Sequence, residues 1–90
     1  MRFHSDPAKS AANLQKHGYD LADAKAVIES GETVTFEDRR YAYDEARFVT
    51  LGMLKGSVVF IVTAETETEI RVISMRKADK YEQKIYFKNS

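Results

Sequence analysis

The side chains that could do chemistry in this 90-residue sequence are mostly arginines and lysines, with one suitably placed glutamate. They lie near the ends of predicted strands: Glu45, Arg47, Arg71, Ser74, Arg76 and Lys77. Arginine suits phosphate because its planar guanidinium donates two parallel hydrogen bonds. A carboxylate can take the proton of a ribose 2′-hydroxyl while cations stabilise the charge at phosphorus. This set would therefore suffice to cleave RNA.

Other catalytic machinery is not indicated by the sequence. It contains no glycine-rich phosphate loop and no HExxH zinc motif, and its two histidines, His4 and His17, are far apart. It contains no cysteine, which excludes disulfides and thiolate chemistry. Any enzyme built on this chain is expected to work without a metal or a cofactor.

Plainer interpretations of the same residues stay open at this point. Glu45 and Arg47 could form a surface ion pair, and Arg71 could pair with a glutamate of the turn before its strand. Tyr41 and Tyr43 could stack on nucleic-acid bases or could simply anchor their loop. The spacing alone does not decide between these interpretations.

Composition predicts one globular domain spanning residues 1–90, because 43% of the residues are hydrophobic and 31% are charged. The longest apolar run, Val58–Val62, is too short to cross a membrane, and no secretory signal is visible, so we expect a cytoplasmic protein. The net charge is zero, yet from Arg71 onward six basic residues, Lys80 among them, face two acidic ones. Such a basic end can attract a polyanion.

Three helices are predicted. Asp6 and Pro7 are typical of a helix start, and this first helix runs to about His17, where Gly18 ends it. Asp20 can cap a second helix, which stops at Ser30-Gly31. The last helix is expected over Lys77–Phe87.

Four strands are predicted between the second and the last helix: Thr33–Phe36, Arg47–Leu54, Ser57–Ala64 and Glu69–Met75. The order ααββββα defines an α+β fold with a small antiparallel sheet of about four strands. We expect the helices to cover one face of the sheet and to leave the other face open for a ligand. In the last strand, alternation places Ile70 and Val72 on one face and Ile73 and Met75 on the other.

The sequence resembles the BrnT toxin family along most of its length. The likeness rests on short segments and single positions that occur in the same order: Phe3, Asp6-Pro7-Ala8-Lys9, Asn13-Leu14, Lys16-His17-Gly18, Ala24, Val27, Glu45-Ala46-Arg47, Gly52 and Arg71 to Ala78. The resemblance implies a RelE-like fold and a metal-independent endoribonuclease of the mRNA interferase type that inhibits translation. It also implies neutralisation by a BrnA-like ribbon-helix-helix antitoxin, through which alone the complex would bind operator DNA.

Carried onto this chain, the family pattern implies roles for individual residues. Glu45 would be the general base or would organise the arginines, with Arg47 beside it, and Arg71 and Arg76 would bind the phosphate. Lys16 or His17 is the candidate acid. The expected RNA-binding residues are Ser74, Lys77, Lys80 and Tyr43.

Two other functions stay open beside this one. A related domain could have lost catalysis and only bind RNA or its antitoxin. A ParE-like toxin would instead act on a protein target. Binding to RNA that weakens with salt would distinguish the first of these from the second, because contacts to phosphates release counterions.

Overall fold

A computed structural model describes residues 2–39 and 45–89 of the chain. The described part is an α+β fold with three α-helices, one short 3₁₀ turn (Leu21–Asp23) and five strands. In chain order these are β1 (Arg2–His4), α1 (Pro7–His17), α2 (Ala24–Glu29), β2 (Val34–Glu37), β3 (Ala46–Leu54), β4 (Ser57–Glu65), β5 (Glu69–Lys77) and α3 (Lys80–Asn89). No helix in these two ranges has the length and apolar character needed to cross a membrane.

The sheet is mixed, with strand order β1-β5-β4-β3-β2. The last four strands form the expected antiparallel meander, whose β3–β4 turn at Lys55 and Gly56 has two positive φ angles (50° and 82°). Our expectation of four antiparallel strands was wrong because β1 adds a fifth, parallel to β5. The RelE-like character of the fold stays a prediction.

The predicted ends of the first helix are confirmed. The Asp6 carboxylate accepts a hydrogen bond from the Ala8 N–H at 2.9 Å, and Pro7 opens α1. Gly18 adopts a left-handed conformation (φ 81°) and its N–H donates to the Leu14 carbonyl. Asp20 caps the following turn through the Ala22 N–H. These local signals predict helix ends well because they act within one turn of the backbone.

The helices lie on both faces of the sheet, so our expectation that they share one face was wrong. On the first face, α2 approaches so closely that a Cβ on Gly52 would lie 2.4 Å from Val27 Cγ1. The neighbouring Leu51 points to the second face, where it packs with Tyr86 of α3. Both faces of the central strand are apolar, and each needs a cover.

The two faces carry separate apolar clusters. The first-face cluster joins the Leu21–Asp23 turn and α2 to the sheet and contains Leu21, Ala24, Val27, Val59, Ile61, Val72 and Met75. The second-face cluster lies under α3 and contains Leu51, Val58, Ala78 and Tyr86. The Tyr86 hydroxyl also donates to the Glu32 carbonyl at 3.0 Å, which ties α3 to the segment before β2.

A β-bulge in β5 changes which of its residues share a face. Thr63 pairs with Val72 and Val62 pairs with Ser74, so Ile73 is the extra residue on β5. Our expectation that Val72 and Met75 lie on opposite faces was therefore wrong, since both belong to the first-face cluster. For the same reason Arg71 and Arg76, five positions apart, both lie on the second face.

Asn13 is a buried polar residue that fastens α1 to β5. Its side-chain amide donates to the Met75 and Tyr19 carbonyls, both at 2.8 Å, and its Oδ1 accepts from the Met75 N–H at 3.2 Å. It thus makes the two hydrogen bonds that a neighbouring strand would make to Met75. We conclude that Asn13 holds the sheet edge beyond the short β1.

Replacing Asn13 with alanine is expected to lower the free energy of unfolding by about 3 kcal/mol. The change leaves a buried N–H and two carbonyls without partners, and each such group costs roughly 1–3 kcal/mol. Urea denaturation followed by circular dichroism measures the loss. Gln15→Ala, on the exposed side of α1, is the matched control and should stay within roughly 0.5 kcal/mol of the parent. Equal stability of the two variants would contradict this role.

Candidate functional site: the arginine face

Three rows of paired residues cross the second face of the sheet. The first row is Arg47–Ala64–Arg71, the next is Val49–Val62–Ser74, and the third is Leu51–Phe60–Arg76. One arginine therefore stands on each side of the small, buried Ala64. We call the five polar residues Glu45, Arg47, Arg71, Ser74 and Arg76 on this side of the sheet the arginine face.

Glu45 and Arg71 form an ion pair that reaches across β4. Arg71 Nη2 donates to Glu45 Oε1, and the side chains are 40% and 27% exposed, respectively. Arg71 thus pairs with Glu45 and not, as the sequence also allowed, with a glutamate of the preceding turn. Glu45 precedes β3 by one residue and lies two positions from Arg47, so it shares the face of Arg47. The contact brings a potential base beside a phosphate-binding group.

Arg76 is held more firmly than Arg71. Its Nη1 and Nη2 donate to Glu82 Oε1 and Oε2, both at 2.9 Å, and its guanidinium lies 4.0 Å from the centre of the Phe60 ring. A bidentate ion pair combined with a cation–π contact fixes the guanidinium plane. Arg76 is therefore preorganised, but a phosphate must share its donors with Glu82.

Glu82 also caps α3. Its Oε1 accepts from the Asp79 N–H at 2.9 Å, while Asp79 Oδ1 accepts from the Glu82 N–H at 2.8 Å. The sequence predicts that α3 begins at Lys77, but it begins at Lys80. The reciprocal capping box explains this later start. Before it, β5 continues through Lys77, which pairs with Val59. Glu82 thus links the helix start to the arginine face.

Glu82 and Phe60 are the residues of this site that sequence reasoning missed. The Asp79…Glu82 spacing is a capping-box signal and could have identified Glu82 and the helix start. No local signal identifies Phe60, because its contact with Arg76 depends on the pairing of β4 with β5.

The structure does not bring every predicted residue to this face. Lys16 and His17 end α1, which is held by Asn13 at the Met75 backbone of the sheet edge and by Ser10 at Leu21 of the first-face cluster. Lys77 is exposed and pairs with Val59, a first-face residue, and Lys80 is exposed on α3. Tyr43 lies outside the described residues. Of the expected RNA-binding residues, Ser74 alone is placed on the arginine face.

The arginine face can bind an anion. Counted with Glu45 and Glu82, the three arginines leave one net positive charge on these five side chains. Arg71 and Arg76 stand four β4 residues apart, which corresponds to roughly 13 Å along the strand. Across residues 2–39 and 45–89, no three histidine, aspartate or glutamate side chains come together as metal ligands would.

The stability of the α3 start is expected to depend on pH. The two hydrogen bonds from Arg76, and secondarily the Asp79 N–H, hold the pKa of Glu82 below its usual value although burial opposes this. A carboxyl with a depressed folded-state pKa stabilises the fold above its unfolded-state pKa, and this stabilisation is lost as the pH falls through the folded-state value.

Glu82→Gln should therefore lower the urea midpoint at pH 7, and the difference from the parent should shrink on going to pH 3. The glutamine keeps the size of the side chain but not its charge. Glu67→Gln, at an exposed turn, is the control and should show little difference at pH 7. A constant difference between parent and Glu82→Gln from pH 7 to pH 3 would contradict the assigned cause.

Comparison with known proteins agrees with the class defined by this fold and site, a small α+β protein with a cationic face. A family model described as the ribonuclease toxin BrnT of a type II toxin–antitoxin system matches residues 6–82. The chain belongs to this family of ribonuclease toxins. The matched range includes α1, all of the arginine face and the Glu82 cap. No match is found among curated proteins.

Proposed function

We propose that the protein cleaves RNA without a metal ion, as an endoribonuclease of the mRNA interferase type, and that the arginine face is its active site. The observation that carries the proposal is the placement of Glu45, Arg71 and Arg76 on one sheet face, with Glu45 in contact with Arg71. The β5 bulge is what gives both arginines this orientation. Membership of a ribonuclease toxin family supports the reaction class.

The proposed reaction starts with the carboxylate of Glu45. It takes the proton of a ribose 2′-hydroxyl, and the 2′-oxygen attacks the adjacent phosphorus while the bond to the 5′-oxygen breaks. The leaving 5′-oxygen takes a proton from solvent water, and Glu45 returns its proton to solvent, so the products are a 2′,3′-cyclic phosphate and a 5′-hydroxyl end. Arg71 and Arg76, with Arg47 beside them, stabilise the charge that develops on the phosphoryl oxygens.

The contact with Arg71 orients Glu45 before substrate arrives. Arg71 has five N–H donors in all, so it can hold Glu45 and still donate to a phosphate. Glu45 can therefore act as a base while it organises the arginine. Lys16 and His17, the sequence candidates for the acid, are not carried into the proposal because α1 is held at the sheet edge and beside the first-face cluster, and not at the arginine face.

The proposed biological context follows from the type II description, in which the antitoxin is a protein. We propose that cleavage of messenger RNA in the cytoplasm inhibits translation. A BrnA-like ribbon-helix-helix antitoxin neutralises the toxin, and the complex binds operator DNA through the antitoxin alone.

The proposed chemistry is tested with a synthetic RNA in excess EDTA. The purified protein is expected to cleave the RNA and to leave 2′,3′-cyclic phosphate ends, detected by mass spectrometry. The same oligonucleotide with 2′-deoxyribose throughout should stay intact, because it lacks the attacking oxygen. Cleavage that stops in EDTA, or cleavage of the 2′-deoxy control, would overturn this mechanism. If free RNA is not cut, cleavage on the ribosome and a protein target become the candidates.

A further inference from the structure

A cleft of about 540 Å³ adjoins the arginine face between β2 and the first turns of α3. Phe36 of β2 and Tyr81 of α3 line it, and Val49, Phe60 and Ile85 form its apolar floor. Arg76 also lines the cleft and therefore belongs both to it and to the arginine face. The cleft lies within the size range of small-molecule sites.

Two aromatic side chains of the cleft are exposed to an unusual degree. Tyr81 is 73% and Phe36 is 43% exposed, although large aromatic side chains usually bury most of their surface. In the same cleft, the guanidinium of Arg76 lies over the ring of Phe60. Aromatic rings and arginine planes of this kind stack on nucleobases, and each stacked base contributes about 1–3 kcal/mol. The surface is thus suited to a flat, π-bonded ligand.

The polar rim of the cleft favours a nucleobase over an apolar side chain as its occupant. Glu37 and Asp38 line the cleft on the β2 side, next to Arg39. Arg39 Nε donates to Glu37 Oε1 at 2.9 Å, which leaves further lone pairs on that carboxylate. The amino and imino groups of a base can donate to these oxygens. An apolar side chain of a protein partner would cover the Glu37 carboxylate without providing donors, which costs free energy.

We propose that this cleft is a nucleobase subsite for single-stranded RNA, in which a base stacks on Tyr81 and Phe36 while its adjoining phosphate contacts Arg76. The inference rests on the proposed function and deepens it. According to this inference, residues of β2 and α3 that take no part in bond cleavage determine the preference for single-stranded RNA or for particular bases. A duplex could not supply the base, because its bases are already stacked and paired.

The test uses an oligoribonucleotide that is 2′-O-methylated throughout, so that binding is measured without cleavage. One position carries 2-aminopurine, whose fluorescence is quenched by stacking, and a second oligonucleotide is abasic at that position. The parent protein should quench the fluorescence. Tyr81→Ala and Phe36→Ala should each raise the Kd for the intact oligonucleotide by roughly 5- to 150-fold and reduce the quenching.

Two controls isolate stacking from general effects. Phe87→Ala removes an aromatic residue of α3 that lies outside the cleft and whose exposure (58%) falls between those of Phe36 and Tyr81, and its Kd should stay close to that of the parent. For the abasic oligonucleotide, the parent and Tyr81→Ala should bind alike. Circular dichroism checks that all variants fold, as their exposed side chains lead us to expect.

The outcomes distinguish this subsite from the proposed function. If the parent cleaves RNA but Tyr81→Ala and Phe36→Ala bind and quench as the parent does, the subsite is overturned and the nuclease stands. If these variants lose the antitoxin instead of RNA, the cleft is a protein-docking site and the proposal is wrong. If the parent neither binds nor cleaves RNA, the proposed function itself fails, which is visible without any variant.

Discussion

Replacing Glu45 with glutamine is expected to lower kcat for RNA cleavage by roughly 10²–10⁴-fold, the contribution of a well-placed general base. Glutamine has nearly the same size and keeps a carbonyl oxygen that can accept the hydrogen bond from Arg71. It cannot take the 2′-hydroxyl proton. The substitution therefore removes the proposed base while it retains much of the organising contact. Cleavage of a fluorogenic RNA under single-turnover conditions measures the effect.

Two companion measurements separate the role of base from that of organiser. Glu45→Ala removes both functions and should be at least as slow as Glu45→Gln. The Kd for an uncleavable RNA should change little in Glu45→Gln, because the arginines stay in place. Glu29→Gln, exposed at the end of α2 on the first-face side, serves as the control for loss of an acidic side chain. A Glu45→Gln variant that cleaves as fast as the parent would show that another group is the base.

The composition of the arginine face could be predicted from the sequence better than its geometry. Glu45 and Arg47 share a face because two residues separate them, and simple alternation suffices to predict this. Alternation fails for Arg71 and Arg76, which stand at an odd spacing and would point in opposite directions in a regular strand. The extra residue at Ile73 brings them to one face. This bulge contains no glycine or other local marker, so only the pairing of β5 with β4 reveals it.

The strand that the sequence did not predict has a similar cause. β1 consists of three residues, Arg2–His4, which is too short for a periodic pattern. Its pairing partners, Glu69–Arg71, lie more than 60 positions along the chain. Contacts at such separations are set by tertiary structure and not by local preference. Secondary structure whose signals are local, such as α1 with its two caps, could be predicted to the residue.

The distribution of the helices over both faces has a signal in the sequence of β4. The run Val58–Val62 is apolar at every position, whereas a strand with one solvated face alternates. A continuous run indicates burial on both sides. In the structure Val59 and Ile61 meet the N-terminal helices, while Val58 and Phe60 pack on the side of α3. Among the described residues, α3 covers the part of the second face around Leu51 and Val58, and the row of Arg47 and Arg71 lies beyond it.

The ion pairs of the arginine face have different strengths, and this difference assigns different roles. Glu82 is only 14% exposed and binds Arg76 through two hydrogen bonds, and it also caps α3. Removing Arg76 would therefore disturb the fold as well as the site. The Glu45–Arg71 pair is more exposed and carries no capping function. Arg71 is thus the residue at which catalysis can be tested with the least effect on stability.

Replacing Arg71 with alanine is accordingly expected to lower kcat by roughly 10²–10³-fold, as does the loss of a donor that stabilises transition-state charge. Unfolding should change by less than about 1 kcal/mol, because exposed ion pairs contribute little. Arg2→Ala, on exposed β1, is the matched control and should cleave normally.

Combining Arg71→Ala with Glu45→Gln should lower kcat by less than the product of the two single losses, since both residues act on one phosphate. Arg71→Lys should recover only part of the rate, because lysine keeps the charge but not the planar fork. Full activity in Arg71→Ala, measured on folded protein, would remove the arginine face from the mechanism.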